Sequence, residues 1–235
     1  MILILGGTTE GRLAVKVADE AGSPYYYSTR GIQQEIACRN GIHLTGGMDV
    51  EAMTSFFIHH QIRLLVDAAH PFAVGLHQTV HETAIRLNLP VVRVERSYPE
   101  RATDIVWCED YEDAVRQLEK DRIHSLLSLT GVQTIGKLRG YWAKHPCWFR
   151  ILKRDESLAL ARSQGFDEQR IVYYQAEDEE SLLKRLTPQA ILTKESGETG
   201  GFQQKIDAAR MLGIPVYVVK RPSLPDSFMN VTGEY

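Results

Sequence analysis

The sequence lacks the features that define several common protein classes. It has only three cysteines, Cys38, Cys108 and Cys147, and no Cys-x-x-Cys pair, which predicts reduced thiols in a cytoplasm rather than a disulfide framework. It contains no apolar run of membrane-spanning length, and its first residues are typical of a core strand rather than a cleavable leader. The net charge of -3 gives no general electrostatic reason to bind nucleic acid. These absences favour a globular, cytoplasmic protein that binds neither membranes nor nucleic acids.

The remaining pattern is that of a parallel α/β protein. The 235 residues suffice for one large domain or two small ones, and a hydrophobic content of 43% provides for a core. Short apolar segments alternate with amphipathic helical patterns along the chain, so we predict two Rossmann-like lobes with mainly parallel sheets and a cleft between them. The predicted N-terminal, dinucleotide-binding lobe covers 1–97, a linker covers 98–104, and a C-terminal lobe that contributes to the substrate cleft covers 105–235.

A glycine-rich turn joins the first predicted strand, Ile2–Leu5, to the first helix. Such a turn allows close approach of a diphosphate to amide groups at a helix N-terminus. The spacing Gly-Gly-x-x-x-Gly departs from the usual dinucleotide fingerprint, so an ordinary tight connection is the alternative. No Gly-Lys-Ser/Thr follows, which disfavours phosphoryl transfer. The predicted cofactor-binding residues of this turn are Gly6, Gly7, Thr8, Thr9, Glu10 and Gly11.

The end of the second predicted strand carries the residues Ser28, Thr29 and Arg30. In a dinucleotide fold this position meets the adenosine ribose, where an acidic residue selects a free 2′-hydroxyl and a basic residue accommodates a 2′-phosphate. Two hydroxyls and a guanidinium predict NADPH, with NADH as the alternative cofactor and an ordinary turn as the alternative interpretation. A short helix is predicted over 33–39.

Polar residues also appear where two later strands end. Asp67 and His70 follow a buried strand, so the sequence predicts that they face a ligand as catalytic residues. Lys194, Glu195 and Ser196 follow a strand of the second half and precede a glycine-rich loop. His77 and His81 stand one helical turn apart without an evident third ligand, so no metal site is predicted.

The ordered combination of motifs resembles the precorrin-6A reductase family of cobalamin biosynthesis, including its cobalt-precorrin branch. One departure is Ala69, where the family usually has Thr. The matching pieces span nearly the whole chain: Gly6-Gly-Thr-Thr-Glu-Gly11, Asp67-Ala-Ala-His-Pro-Phe-Ala73, Arg93-x-x-Arg96, Thr193-Lys-Glu-Ser-Gly197, Gly200-Gly-Phe with Lys205, and Arg221-Pro222.

The resemblance implies a two-lobed enzyme that uses a reduced nicotinamide cofactor to reduce a double bond of the precorrin-6A macrocycle. It implies cationic partners for the substrate carboxylates at Arg93, Arg96, Lys194 and Arg221, with Glu195 and Ser196 also in the substrate site. His70 is the predicted proton donor. The rival interpretations are a non-enzymatic dinucleotide sensor and a cofactor-free, two-lobed tetrapyrrole lyase. The sequence leaves open whether the substrate carries cobalt and how the chain oligomerises.

Overall fold

The computed structural model describes residues 1–31, 36–174 and 176–232. The chain divides into two compact units. The first comprises Met1–Ser97 together with the chain from Pro222 onwards, and the second comprises Tyr98–Arg221. Each unit contains one sheet of six parallel strands with helices between them, which confirms the predicted α/β fold. No helix in the described part of the chain is both long and apolar enough to cross a bilayer.

Within its described residues, the first unit contains six strands and three α-helices. They are β1 (Ile2–Leu5), α1 (Thr9–Glu20), β2 (Tyr25–Thr29), β3 (Gly41–Thr45), α2 (Val50–His60), β4 (Leu64–Asp67), α3 (Val74–Leu87), β5 (Val91–Glu95) and β12 (Met229–Thr232). The strand order is β3-β2-β1-β4-β5-β12. This is the order of a dinucleotide-binding sheet, with its sixth strand supplied by the end of the chain.

The central strand β1 explains why the sequence folds this way. Leu3 and Ile4 point to opposite sides of the sheet, yet both are buried, because helices cover both faces. Leu3 packs with Phe57 of α2 and Val80 of α3 on one face, and Ile4 packs with Val15 of α1 on the other. The aliphatic run that opens the sequence therefore forms the centre of this unit.

Over 98–174 and 176–221, the second unit repeats the arrangement with six strands and five α-helices. They are β6 (Val106–Cys108), α4 (Tyr111–Lys120), β7 (Leu126–Ser128), α5 (Arg139–Trp142), β8 (Cys147–Ile151), α6 (Asp155–Ser163), β9 (Ile171–Tyr173), α7 (Glu179–Leu186), β10 (Ala190–Lys194), α8 (Phe202–Met211) and β11 (Val216–Val219). The strand order is β6-β11-β10-β7-β8-β9. In this sheet the edge position next to β11 is occupied by β6, which is the first strand of the unit along the chain.

Two details of the predicted organisation need correction. The boundaries assigned the whole of 105–235 to the second lobe, but β12 pairs in parallel with β5 of the first sheet, with Asn230 opposite Arg93. The helix predicted over 33–39 falls partly outside the described residues, and its described part, 36–39, is not helical.

Each sheet has one switch point, where the direction of strand progression reverses. It lies between β1 and β4 in the first unit and between β7 and β10 in the second. Ligands of open parallel sheets bind beyond the carboxyl ends of the strands at such a point. The glycine turn after β1, the loop after β4 and the loop after β10 all occupy these positions.

Candidate functional site

The glycine turn after β1 is shaped by Tyr27 of β2. A Cβ on Gly6 would lie 2.2 Å from a ring carbon of Tyr27, and one on Gly11 would lie 2.8 Å from the Cα of Gly6. Gly7 has a φ of +93°, which L side chains rarely adopt, and its amide donates a 3.0 Å hydrogen bond to the Tyr27 hydroxyl. Among the described residues, no atom lies within 4 Å of a Cβ built on Gly7. Gly6 and Gly11 thus accommodate a tyrosine and a close turn, whereas Gly7 borders open space.

Thr8 ties the glycine turn to the loop after β4. Its hydroxyl accepts a hydrogen bond from the Gly11 amide as the N-cap of α1 and donates a 2.6 Å bond to the carbonyl of Ala68. Thr9 accepts a bond from the Arg12 guanidinium at the exposed start of the same helix. The two sides of the β1/β4 switch point are therefore directly bonded to each other.

Glu10 and Arg96 form a buried ion pair in the first unit. The Glu10 carboxylate lies 3.0 Å from Nη2 of Arg96, and the two side chains are 1% and 5% exposed. A carboxylate in the first turn of α1 would repel a diphosphate, and the guanidinium compensates its charge. Arg96 and Glu10 thus pair with each other inside the first unit, and their predicted contacts with a substrate carboxylate and with a cofactor stay predictions.

The end of β2 presents one exposed cation. Ser28 is buried, and its carbonyl accepts a hydrogen bond from the amide of Gly6. The Thr29 hydroxyl donates to the carbonyl of Gly31 and lies 2.7 Å from Nε2 of His43, so its bonding capacity is used within the protein. Arg30 is exposed. Of the three predicted ribose-site residues, Arg30 is the one whose side chain is open to a ligand.

Asp67, at the end of β4, is completely buried. One carboxylate oxygen lies 2.8 Å from Nδ1 of His77, and the other lies 3.1 Å from Nη1 of Arg93 and accepts a hydrogen bond from the amide of Ala69. Arg93 is also fully buried and donates a 2.8 Å bond to the carbonyl of Ala69. Both side chains hold the loop after β4 through these bonds, and the catalytic role predicted for Asp67 and the substrate contact predicted for Arg93 stay predictions.

His70 stands in this loop and is half-buried. Its Nδ1 accepts a 3.2 Å hydrogen bond from the amide of Phe72, which places the hydrogen of a neutral imidazole on Nε2. Its carbonyl accepts bonds from the amide of Ala73 and from Nε2 of His77. The structure thus fixes the backbone of His70 at the switch point, where a proton donor is predicted.

Glu195 follows β10 in the second unit and organises two arginines. Its carboxylate is 3% exposed and accepts hydrogen bonds from Nε and Nη2 of Arg101 at 3.1 and 2.9 Å, and from Nη1 of Arg221 at 2.7 Å. Arg221 also lies 3.7 Å from the ring centroid of Tyr98. The two guanidiniums are 44% and 35% exposed, so one buried negative charge holds two positive charges at the surface. Glu195 therefore fixes the orientation of both arginines.

The loop after Glu195 is closed by internal bonds. The Ser196 hydroxyl donates to the carbonyl of Gly200, and so does the ammonium of Lys205, at 3.0 Å. Burial lowers the pKa of Lys205. Lys194 is half-buried at the end of β10.

Three residues that make contacts in these loops belong to no sequence motif with a predicted function: Tyr27, His77 and Arg101. Tyr27 belongs to a run of three tyrosines in which alternation marks it only as a core residue. His77 has the spacing of an ordinary helix face, and Arg101 lies in the segment predicted to be a linker. An excess of charged residues in that segment is the one signal that favours a role for Arg101.

A glycine turn at the switch point of a β3-β2-β1-β4-β5-β12 sheet defines the class of Rossmann-like nucleotide-binding proteins. Comparison with known proteins narrows this class. The model of the family described as "Precorrin-6x reductase CbiJ/CobK" matches residues 1–233. The chain therefore belongs to the precorrin-6x reductase family.

Individual relatives agree with this assignment. The chain is 30% identical over 239 residues to the precorrin-6A reductase of Rhodococcus erythropolis, which covers 95% of this chain and 90% of that protein. It is 26% identical over 245 residues to the cobalt-precorrin-6A reductase of Methanothermobacter thermautotrophicus, covering 99% and 78% of the two chains. The solved structure of CobK precorrin-6A reductase has the same fold, with a TM-score of 0.78 at 21% identity over 98% of this chain and 91% of that one.

Family membership confirms the resemblance drawn from the motifs. The chain is an oxidoreductase of cobalamin biosynthesis that acts on a carbon–carbon double bond, and its family implies a nicotinamide cofactor. The comparisons support this activity over a dinucleotide sensor or a cofactor-free lyase.

Proposed function

We propose that this protein reduces precorrin-6A or cobalt-precorrin-6A to its dihydro form with NADPH, which binds at the β1/β4 switch point of the first unit. The observation that carries the proposal is the family match over nearly the whole chain, together with a glycine turn at the switch point of a dinucleotide-type sheet.

The first unit fits a dinucleotide better than the second. Its glycine turn leads into a helix of 12 residues, and Gly7 borders open space where a diphosphate can approach the backbone. In the second unit, Gly131 follows β7 with a similar φ of +85°, but only a three-residue 3-10 turn, Val132–Thr134, comes next. The bound nicotinamide supplies the hydride. The protein's own residues then bind and orient the two reactants and deliver a proton, for which His70 is the candidate.

The preference for NADPH rests on Arg30. Its guanidinium is exposed at the end of β2, where the ribose of a dinucleotide lies in this fold. Residues 28–31, the described part of the chain at the end of that strand, contain no carboxylate that could select a free 2′-hydroxyl. A guanidinium is well suited to a phosphate because it donates two parallel hydrogen bonds.

Cations of the second unit suit a polycarboxylate substrate. Arg101 and Arg221 keep exposed N–H groups while Glu195 fixes their orientation, and Lys194 ends the neighbouring strand. Two guanidiniums already held in place lose little side-chain entropy on binding a carboxylate. We propose these three cations, with Ser196 in the adjoining loop, as the part of the second unit that contacts the macrocycle's carboxylates.

The test is anaerobic oxidation of NADPH and, separately, of NADH on addition of precorrin-6A with and without cobalt. Absorbance of both the cofactor and the macrocycle is followed. Substrate-dependent oxidation is expected, faster with NADPH, and the four conditions identify the preferred cofactor and the metal content of the substrate. Binding of the macrocycle without oxidation of either cofactor would refute the proposed activity.

A further inference from the structure

His77 of α3 is buried and contacts two points of the loop that precedes its own helix. Its Nδ1 lies 2.8 Å from Oδ2 of Asp67, and its Nε2 lies 3.2 Å from the carbonyl oxygen of His70. A carboxylate and a carbonyl oxygen only accept hydrogen bonds, so both contacts are satisfied when both ring nitrogens carry hydrogen. His77 is thus a two-point bridge between the start of the loop and the residue predicted to donate a proton.

Other hydrogen bonds of the loop join its residues to one another and to β5. The amides of Ala69 and Phe72 donate to side chains within the loop itself, and Arg93 ties the carbonyl of Ala69 to β5. The N-cap residue of α3, Ala73, makes no side-chain capping bond. The His77 side chain ties the His70 end of the loop to the first turn of α3, beside the bond from the Ala73 amide to the same carbonyl.

We propose that His77 is a positioning residue, which fixes the backbone of 67–72 and thereby the placement of the His70 side chain at the switch point. Without the imidazole, Oδ2 of the buried Asp67 loses its hydrogen-bond partner, and the loop has to rearrange to satisfy it. A displacement of about 1 Å at a reacting group is enough to reduce turnover on the order of 10²-fold. In its kinetic consequences the inference rests on the proposed function.

The first experiment compares His77→Ala and His77→Gln with the wild-type enzyme. We expect His77→Ala to lower kcat about 10²-fold while KM for NADPH stays within about twofold, because the glycine turn is intact. His77→Gln retains one donor for Asp67 or His70, so its kcat should fall only about tenfold below the wild-type value. His81→Ala is the matched control: His81 lies one turn further along α3, bonds Ser227, and is expected to leave both constants unchanged.

A cavity beside His77 permits a sharper test. It has a volume of about 440 Å³ and is lined by Val74, His77, Gln78, His81 and residues 222–227, all of the first unit. Truncation of His77 enlarges this cavity, so added imidazole can occupy the place of the missing ring. We expect it to raise kcat of His77→Ala at least about tenfold. 1-Methylimidazole fills similar space but has only one nitrogen able to carry hydrogen, so it can satisfy only one of the two acceptors and should restore clearly less of the rate than imidazole does. Equal rescue by both compounds would show that His77 only fills space and would overturn the inference.

Hydrogen exchange measures the loop without any substrate. In His77→Ala the amides of Ala69 and Phe72 should exchange at least about tenfold faster, and imidazole should reverse the change. His81→Ala should leave them unaffected. Unchanged exchange in His77→Ala refutes the positioning role even in an active enzyme. Faster exchange in a protein whose wild type oxidises neither cofactor refutes the proposed function alone.

Discussion

Asp67 and Arg93 face each other in the register of neighbouring strands, and both side chains are fully buried. Removal of one member of a buried ion pair leaves the other charge without compensation, which typically costs 3–5 kcal/mol. The pair therefore stabilises the loop after β4 only as long as both members are present.

We predict that Arg93→Met lowers the free energy of unfolding by about 3–5 kcal/mol, because Asp67 then keeps a buried charge without its cation. Denaturant unfolding measures the change. Arg210→Gln is the control: Arg210 pairs with Asp104 in an exposed, bidentate arrangement and should cost less than about 1 kcal/mol. If the Arg93→Met protein is as stable as the wild type and has a raised KM for the macrocycle, the result would contradict this prediction. It would instead support the contact between Arg93 and a substrate carboxylate that the motif implies.

Arg30 is the residue on which cofactor choice depends. We predict that Arg30→Ala weakens NADPH binding about tenfold and leaves NADH binding nearly unchanged, because only NADPH carries the 2′-phosphate. Fluorescence titration of both cofactors measures this difference. Arg63→Ala, at an exposed site before β4, should change neither affinity. Equal losses for NADPH and NADH would contradict the assignment.

Lys205 makes stability depend on pH. Burial lowers its pKa from the usual 10.5, while Glu179 acts in the opposite direction. Between the lowered pKa and 10.5 the unfolded chain binds more protons than the folded chain, so this group's contribution to stability rises with pH in that window. We predict that, as the pH rises through this window towards 10.5, the wild type gains stability relative to Lys205→Met, as measured by denaturant unfolding. A difference that is constant across this range would contradict the prediction.

At the scale of elements, the connection between β1 and α1 depends on Tyr27 as much as on any ligand. We predict that Gly6→Ala destabilises the fold by about 1–3 kcal/mol, because the new Cβ would stand 2.2 Å from the Tyr27 ring. Thermal unfolding tests this. Gly47→Ala, where a Cβ meets no described atom within 4 Å, is the control and should be nearly neutral. Retained stability in Gly6→Ala would mean that Tyr27 can move aside at little cost.

The sequence was sufficient to locate most elements, because periodicity reports burial directly. The apolar runs at β1, β4 and β10 and the stripe on α2 all coincide with structured, buried segments. β12 was missed since all four of its residues are exposed and its position depends on the open edge of β5. Local patterns carry no information about such a partner.

The partners of the site residues were equally invisible in the sequence. The sequence predicts a ligand contact for Asp67 from its position at a strand end and for Arg93 from the motif, whereas the pairing of the two residues follows from the register of β4 and β5. His77 was interpreted as part of a helix face, since spacing along α3 cannot show that its ring reaches back to the preceding loop. Residue types suffice to predict a location for the site, whereas contacts between residues distant in sequence decide which side chains stay accessible.

At the scale of the whole molecule, each sheet has an edge strand that depends on how the chain is routed. β12 pairs with β5, and Phe228, which directly precedes it, is 5% exposed and belongs to the first unit's core. We predict that deletion of 228–235 accelerates hydrogen exchange in β5 and α3 but not in β10 and β11, because the lost contacts belong to the first unit alone. Exchange that accelerates equally in both sheets would contradict this prediction.

The same routing makes the second unit an insertion within the first. Tyr98–Arg221 is one uninterrupted stretch, whereas the first unit is split into a long piece and a short piece on either side of it. A gene fragment for the second unit therefore encodes all six of its strands, but no single fragment encodes the first unit without the second. Rebuilding the first unit as an independent protein requires a synthetic linker from Ser97 to Pro222, and a single protease cut at either junction leaves the two units covalently joined.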